Sequence, residues 1–426
     1  LGLHALQHRG QEACGIVSFD GKRFHSERRI GLVGDAFSKP STMERLKGRA
    51  AVGHTRYSTT GEQVLRNVQP MFAELSTGGF AVAHNGNITN GLALRRSLIA
   101  DGAICQSTSD TEAVLHLVAR SRQRHLVDRF IDAIKALEGA YSLVCMSSKK
   151  MIGVRDPLGI RPLVLGELNG AYILSSETCA LDIIGASFVR EIENGEVVVI
   201  TEDGVQSIKP FPPQQARPCI FEYIYFSRPD SVIGGRSVYQ VRKEMGRELA
   251  REAGADVDVV IPVPDSGVPA ALGYSQEAGV PFELGIIRNH YVGRTFIEPT
   301  QQIRALGVKL KHNANRAVIE GQRVMLVDDS IVRGTTSVKI VQMMFDAGAR
   351  EVHMAIASPP ITHPDFYGID TPEQKALLAA THTVEEMSEY IGVQSLTFLS
   401  VDGIYRATGY EKRDPVRPQF TDHCFT

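Results

Sequence analysis

Residues 324–337 read VMLVDDSIVRGTTS, and the order of residue types there decides the fold of the half of the chain that carries them. An apolar run ends on two acids, Asp328 and Asp329. A tight loop, Arg333-Gly334-Thr335-Thr336, follows, and the helical pattern TTSVKIVQMMFDAGA begins inside it. A short apolar run closed by a loop reads as a buried strand, and strand–loop–helix is the half-unit of a parallel sheet. In an open parallel sheet, ligands occupy the crevice beyond the carboxyl ends of the strands. There the amides of Gly334 and Thr335, the hydroxyls of Thr335 and Thr336 and the Arg333 guanidinium can surround a phosphate. The helix N-terminus adds unpaired N–H groups behind them. Asp328 and Asp329 repel each other unless a hydroxylated sugar or a cation lies between them. Acceptors for ribose hydroxyls beside a phosphate loop describe a phosphoribosyl site. The GxxxxGK[ST] spacing of a Walker loop is absent.

The flanking sequence repeats this rhythm. VDVVIPVPDSG is a strand ending in a loop, VPAALGYSQEAG a helix closing at Gly279, PFELGIIRN a strand and EVHMAIASPP another. Repeated βαβ predicts a parallel sheet with helices on both faces. The proline-rich, aperiodic KPFPPQQARPC (209–219) predicts the boundary of this half, which gives domains at 1–210 and 211–426. Before it lie short strand-like runs, GIVSFDG, AAVGHTRYST, GFAVAHNG, AYSLVCMSS, AYILSSE and GEVVVITEDG, with two helical patterns among them. One of these, SDTEAVLHLVARSRQ, suggests Ser109 as N-cap with Glu112 closing a capping box. Sheets covered by helices are expected there, an α+β arrangement ahead of an α/β one.

Composition bounds the rest. The 426 residues make about two to three domains' worth. A formal charge of −2 argues against a dedicated nucleic-acid binder. No apolar run is long enough to span a bilayer. Six cysteines without a CxxC pair form no disulfide framework and fit a reducing cytoplasm. The chain opens at Leu1 inside a helical pattern and closes on HCFT, and is read as part of a longer protein.

VMLVDDSIVRGTTS resembles the phosphoribosyl-diphosphate (PRPP) motif of type I phosphoribosyltransferases. The resemblance assigns Asp265, Ser266 and Gly267 of VIPVPDSGVPAALG to the pyrophosphate loop. It sets Asp328 and Asp329 beside ribose, and Ser266, Asp328 and Asp329 near Mg²⁺. RNHYVGRTFIEPTQQIRALGVKLK (288–311) carries five Lys/Arg against one acid, as a mobile loop closing over a polyanion would. Its first part, with Arg288, Tyr291 and Arg294, resembles the flexible loop of the glutamine PRPP amidotransferases.

That likeness extends to the first half through LQHRGQEACGI, GHTRYSTTG, AHNGNITN and TSDTE. It implies an N-terminal-nucleophile glutaminase with an αββα sandwich. Arg56 can pair a glutamine α-carboxylate bidentately, and Asp110 its α-ammonium. Asn85 and the Gly86 N–H can face the oxyanion of a tetrahedral intermediate. Arg9 and Gly10 either shape the glutamine pocket or hold a helix end. In this family the nucleophile is a cysteine at the mature N-terminus, whose own amine is the base. Cys14, with its nitrogen in a peptide bond, cannot replace it and is expected to pack as a small apolar residue. The cysteine-bearing first strand is expected upstream of Leu1.

Some members carry a 4Fe–4S cluster. Its ligand positions fall here on Cys219, Asp365, Thr421 and Cys424, so no cluster is expected. Asp365 with the neighbouring His363 offers no zinc spacing. The resemblance implies amination of PRPP by glutamine-derived ammonia, opening purine synthesis, with feedback by purine nucleotides and a homodimer or homotetramer. The alternatives are a glucosamine-6-phosphate-synthase-like amidotransferase, which should lack the PRPP motif, and a non-catalytic PRPP-binding regulator.

Overall fold

The computed structural model describes residues 1–57, 64–289, 312–369, 371 and 373–426. The first half is built on a six-stranded antiparallel sheet. Its order is Gly204–Ile208, Val197–Thr201, Met151–Arg155, Gly139–Ser147, Gly78–Ile88, Met71–Leu75. Alternation along GFAVAHNG assigns its two faces. Phe80 and Val82 pack with Val114, Val118, Phe130 and Ile134 of the helices Thr111–Arg120 and Leu126–Lys135. Ala81 and Ala83 face Val17 and Val52 of a second sheet layer. That layer holds the strands Ala13–Phe19 and Ala50–Arg56, and beside them Val164–Leu168, which carries Leu165 against Val198. Helices Gly2–Ala5 and Cys179–Ile184 cover its outer side through Ala5, Ala180 and Leu181. Helix, sheet, sheet and helix are the four layers expected from the sequence.

One local reading is corrected. The helix of TSDTE starts a residue later than read: Asp110 is the N-cap, accepting from the Thr111 amide. Glu112 does not close a box on Ser109. Its carboxylate takes the amides of Gln106 and Ser107 at 2.6 and 2.9 Å, because the preceding turn aims those donors at the helix start.

The second half holds a four-stranded parallel sheet in the order Val259–Pro262, Arg323–Asp328, Glu351–Ile356, Ser395–Phe398. Met325 and Val327 pack with the helices Val238–Glu252 and Val268–Ala278 on one face. Val324 and Leu326 meet the helices Thr335–Asp346 and Val384–Ile391 on the other. PFELGIIRN departs from expectation. Phe282 makes one bridge to Val260, the Gly285 amide turns back to the Glu283 carbonyl, and Ile286–Arg288 leaves to pair antiparallel with His312–Ala314.

Residues 209–218 form no helix or strand. Beyond them Ile220, Phe221 and Ile224 join one core with Ala140 and Ile160 of the first half. The two halves therefore share buried apolar surface. Among the described residues no helix is long and apolar enough to cross a membrane.

Candidate functional site

A cleft in the first half is lined by Arg9, His54, Arg56, His84, Asn85, Gly86 and Asp110, with Phe226 and Gly368 reaching in from the second half. Three strand ends and one helix start converge there. Arg56 closes the strand Ala50–Arg56, and Glu12 stands 3.8 Å from its guanidinium. Burial lowers the Arg56 cation from its ordinary value, against the raising pull of Glu12 and Asp110. Asp110 accepts from the Ile88 and Thr111 amides at 2.9 and 2.8 Å. Burial would raise its carboxyl, but the His84 ring and those amides hold it below the ordinary carboxylate range. Asn85 Nδ2 is buried with no hydrogen-bond partner. A buried amide donor without an acceptor is costly and marks a place for a ligand oxygen. Gly86 has φ +139°, and a Cβ there would stand 2.1 Å from the Ala140 carbonyl oxygen. The position therefore requires glycine. His54 donates to or accepts from nothing at Nδ1, and burial pushes its ring down to about 4, so it is neutral at physiological pH.

Arg9, the third residue expected at the glutamine site, has its own buried partners. It lines the cleft, but its guanidinium turns away to Glu177 and to Glu222, which accepts from Nη2 at 2.6 Å. It also stacks 4.8 Å above the Phe226 ring. Burial disfavours its charge, and the two carboxylates more than offset that. Glu222 is shared with Arg161, whose Nη1 donates at 3.0 Å, and Arg161 Nε donates to the Tyr367 carbonyl at 3.0 Å. Arg9 thus acts as a strut between the halves through buried ion pairs. Arg161, Glu177 and Glu222 went unseen in the sequence. A usable signal was the charged pair Arg155-Asp156 followed by Arg161 in apolar surroundings, which is rare unless each charge is paired.

Cys14 lies inside the strand Ala13–Phe19, fully buried, with Sγ 3.6 Å from the Gly31 carbonyl oxygen. Burial pushes its thiol up to about 11, and the residue is a packed apolar side chain.

In the second half, the Val263 amide donates to the Val327 carbonyl at 2.9 Å. The loops that follow the two strands therefore emerge side by side at the carboxyl edge of the sheet. One carries Asp265, Ser266 and Gly267; the other carries Asp328 to Thr336. Gly267 packs so closely that a Cβ would stand 2.4 Å from the Val327 carbonyl oxygen. Gly334 is the N-cap of the helix Thr335–Asp346, with Arg333, Thr335 and Thr336 exposed around it. Asp328 and Asp329 are both buried. Burial and then the neighbouring Asp329 drive the Asp328 carboxyl well above its ordinary value. Arg288, at the end of the strand Ile286–Arg288, pairs with Asp265. Tyr291 and Arg294 lie outside the described residues.

The four positions matched to cluster ligands come together. Cys219 bridges Thr421, whose hydroxyl donates to the Arg217 carbonyl at 2.7 Å. Asp365 approaches Cys424 with His423 between them, and His363 is not part of the group.

Comparison with known proteins agrees with this division of chemistry. A profile described as a glutamine amidotransferase domain matches residues 54–182, and one described as a phosphoribosyl transferase domain matches 235–360. The second match removes the glucosamine-6-phosphate-synthase alternative. An amidophosphoribosyltransferase of Rhizobium etli is 68% identical over 432 residues, covering 100% of this chain and 87% of the relative. That of Bacillus subtilis is 47% identical over 414 residues, covering 97% of this chain and 87% of the relative. A chloroplastic amidophosphoribosyltransferase of Glycine max is 53% identical, covering 96% of this chain and 72% of the relative. The solved B. subtilis glutamine PRPP amidotransferase complexed with ADP and GMP superposes with a TM-score of 0.93 at 46% identity, covering 100% of this chain and 92% of that one. The chain belongs to the amidophosphoribosyltransferase family, the glutamine-dependent pentosyltransferases that open purine biosynthesis.

Proposed function

We propose that the two sites divide one reaction, with the boundary near residue 210. In the first-half cleft, Arg56 holds the glutamine α-carboxylate and Asp110 its α-ammonium. Attack on the amide makes a tetrahedral oxyanion, which Asn85 Nδ2 and the Gly86 N–H stabilise. The nucleophile is assigned to the family's N-terminal cysteine, not to Cys14. Hydrolysis of the acyl-enzyme releases glutamate and ammonia.

In the second half, ammonia displaces pyrophosphate from C1 of PRPP, giving 5-phosphoribosylamine. Asp265, Ser266 and Gly267 hold the pyrophosphate. Arg333, Gly334, Thr335 and Thr336 hold the 5-phosphate. Asp328 and Asp329 accept from the ribose hydroxyls. The donor set suits Mg²⁺: two adjacent carboxylates and a hydroxyl, all hard oxygens, with burial and the neighbouring Asp329 pushing the Asp328 carboxyl upward. Bound at Ser266, Asp328 and Asp329, Mg²⁺ would supply charge stabilisation of the leaving pyrophosphate. The chain's own part is positioning and exclusion of water. Free ammonia would be protonated in solvent, so glutamine hydrolysis is expected to depend on PRPP occupying the second site. Purine nucleotides, as in the B. subtilis complex, are read as feedback inhibitors. The cytoplasm fits six unpaired cysteines.

The observation that carries this reading is the unpartnered Asn85 Nδ2 beside Gly86 in a cleft bounded by a desolvated arginine and a carboxylate. The test is pyrophosphate release from PRPP with glutamine or with ammonia as nitrogen donor. An alkylating glutamine analogue should abolish the first and spare the second. Binding of PRPP with no release on either donor would instead support the regulator alternative.

A further inference from the structure

The geometry points to a mononuclear divalent-metal site of the zinc class, built from Asp365, His423 and Cys424. Asp365 Oδ1 stands 3.5 Å from His423 Nε2, and His423 Nε2 stands 3.8 Å from Cys424 Sγ. All three ligand atoms lie within 4.8 Å of one another. Zinc bonds of about 2.0–2.3 Å in a tetrahedron give ligand–ligand edges of roughly 3.3–3.8 Å. The two printed separations are edges of that size, and both are too long to be strong hydrogen bonds.

The Asp365 carboxylate is oriented for such a role. Its Oδ2 accepts from the Tyr367 and Ile369 amides at 2.8 and 2.7 Å. Its Oδ1 is buried and has no hydrogen-bond partner. One oxygen is anchored and the other is offered, which is how a carboxylate is held for a metal. The His423 ring is fixed by stacking on Phe366 at 5.7 Å and by an edge contact with Tyr367 at 5.3 Å. The Cys424 carbonyl accepts from the Thr362 and His363 amides, which fixes the backbone under the thiol. Cys219 is fully buried nearby but falls outside this group of three, which leaves the fourth position of the ion to a non-protein ligand. One group opposes a cation: Arg161 Nη2 stands 3.9 Å from Asp365 Oδ2. Its charge is met by Glu222 at 3.0 Å on Nη1.

This ligand set is not that of a four-thiolate cluster. Two of the four cluster positions are Asp365 and Thr421, and the Thr421 hydroxyl is spent on a carbonyl. His423 matches no cluster position. A mixed oxygen, nitrogen and sulfur set suits zinc. A metal here would also brace residues 365–369, the segment that touches Gly86. That consequence rests on the glutaminase reading, whereas the metal test does not.

The experiment uses the full-length protein purified without chelator. Elemental analysis after gel filtration is expected to find close to one zinc-class ion per chain. After chelation, cobalt(II) added at one equivalent is expected to give a thiolate-to-cobalt charge-transfer band and intense tetrahedral d–d bands. Cobalt in the all-oxygen PRPP site gives no thiolate band, so the two locations are distinguished. His423→Gln and Asp365→Asn should each lose the band, and the part-exposed His423 makes the first variant benign for folding. Absence of the band in the wild-type protein, its persistence in His423→Gln, or iron with inorganic sulfide in the isolated protein would each overturn the proposal.

Discussion

Gly368 of the second half packs directly on the peptide of Gly86 in the first. A Cβ at Gly368 would stand 2.9 Å from the Gly86 carbonyl carbon and 3.0 Å from its Cα, and φ at Gly368 is +106°. The contact is held from both sides. Asn87 Nδ2 donates to the Phe366 carbonyl at 2.8 Å and Arg161 Nε to the Tyr367 carbonyl at 3.0 Å. A methyl group at 368 must displace the peptide assigned to the oxyanion hole. Gly368→Ala is expected to lower glutamine-dependent turnover about ten-fold or more, since hole donors act only when well aimed. Ammonia-dependent pyrophosphate release should stay near wild type. Steady-state rates with the two nitrogen donors check this, and an unchanged ratio would sink it.

Asn85 is the other donor proposed for the oxyanion. Its Nδ2 has no partner to lose, so truncation should cost little in folding and much in catalysis. Asn85→Ala is expected to reduce glutaminase kcat by about 10²–10³-fold with a smaller change in KM. Single-turnover glutamate release measures the chemical step. A fall confined to KM would move Asn85 from the oxyanion to ground-state binding.

What the sequence disclosed followed contiguity. The PRPP loop is legible because strand, acids, loop and helix are consecutive; in the first half the residue patterns give only sheets covered by helices, and the αββα sandwich comes from the family resemblance. The partners of Arg9 were not legible, because they lie far along the chain. Glu177 and Glu222 are 168 and 213 residues away, and no periodicity links them. Gly368 was invisible for the same reason: its requirement for glycine comes from a peptide almost three hundred residues earlier. Asp365 was weighed against its sequence neighbour His363, while the imidazole that reaches it is His423.

Asp328, assigned above to the ribose and Mg²⁺, is a buried acid held against stability. Burial and Asp329 raise its carboxyl well above the ordinary 3.8. A raised folded-state value means the native state binds the proton more tightly than the unfolded chain. Stability contributed by that proton is full below the unfolded value and is lost as pH rises through the folded one. Asp328→Asn should therefore raise the melting temperature of the ligand-free protein at neutral pH, with the gain shrinking toward pH 4. The same variant should lose PRPP turnover with either nitrogen donor. Calorimetry across pH, paired with pyrophosphate release, checks both. A variant less stable than wild type at neutral pH would contradict the assignment.

The strut between the halves behaves oppositely. Burial disfavours ionised Glu177 and Glu222, but Arg9, with His8 on Glu177 and Arg161 on Glu222, holds both carboxyls below the ordinary 4.5. Depressed carboxylates contribute stability above their unfolded value and lose it as pH falls toward the folded one. Wild-type protein should weaken steeply below about pH 4.5. Glu222→Gln leaves two buried arginines short of charge and should cost about 3 kcal/mol at neutral pH. Its stability should then vary less with pH on the acid side. Denaturant unfolding at several pH values reads both effects, and an unchanged acid slope in Glu222→Gln would remove the pair from the account.

Cys14 is the cysteine most easily mistaken for the nucleophile, two residues beyond Glu12 in the strand Ala13–Phe19. Its thiol is fully buried and raised to about 11, so it is protonated at neutral pH, and its own nitrogen is an amide. A protonated thiol is neither nucleophile nor base. Cys14→Ala removes one sulfur from a packed strand and should cost about 1 kcal/mol of stability. Glutamine-dependent turnover of the full-length enzyme should persist. A diazoketone analogue of glutamine should still inactivate the variant, and peptide mass mapping should find the adduct on none of the six cysteines of residues 1–426. Loss of both labelling and turnover in Cys14→Ala, with folding intact, would return the nucleophile to Cys14 and overturn the reading of the cleft.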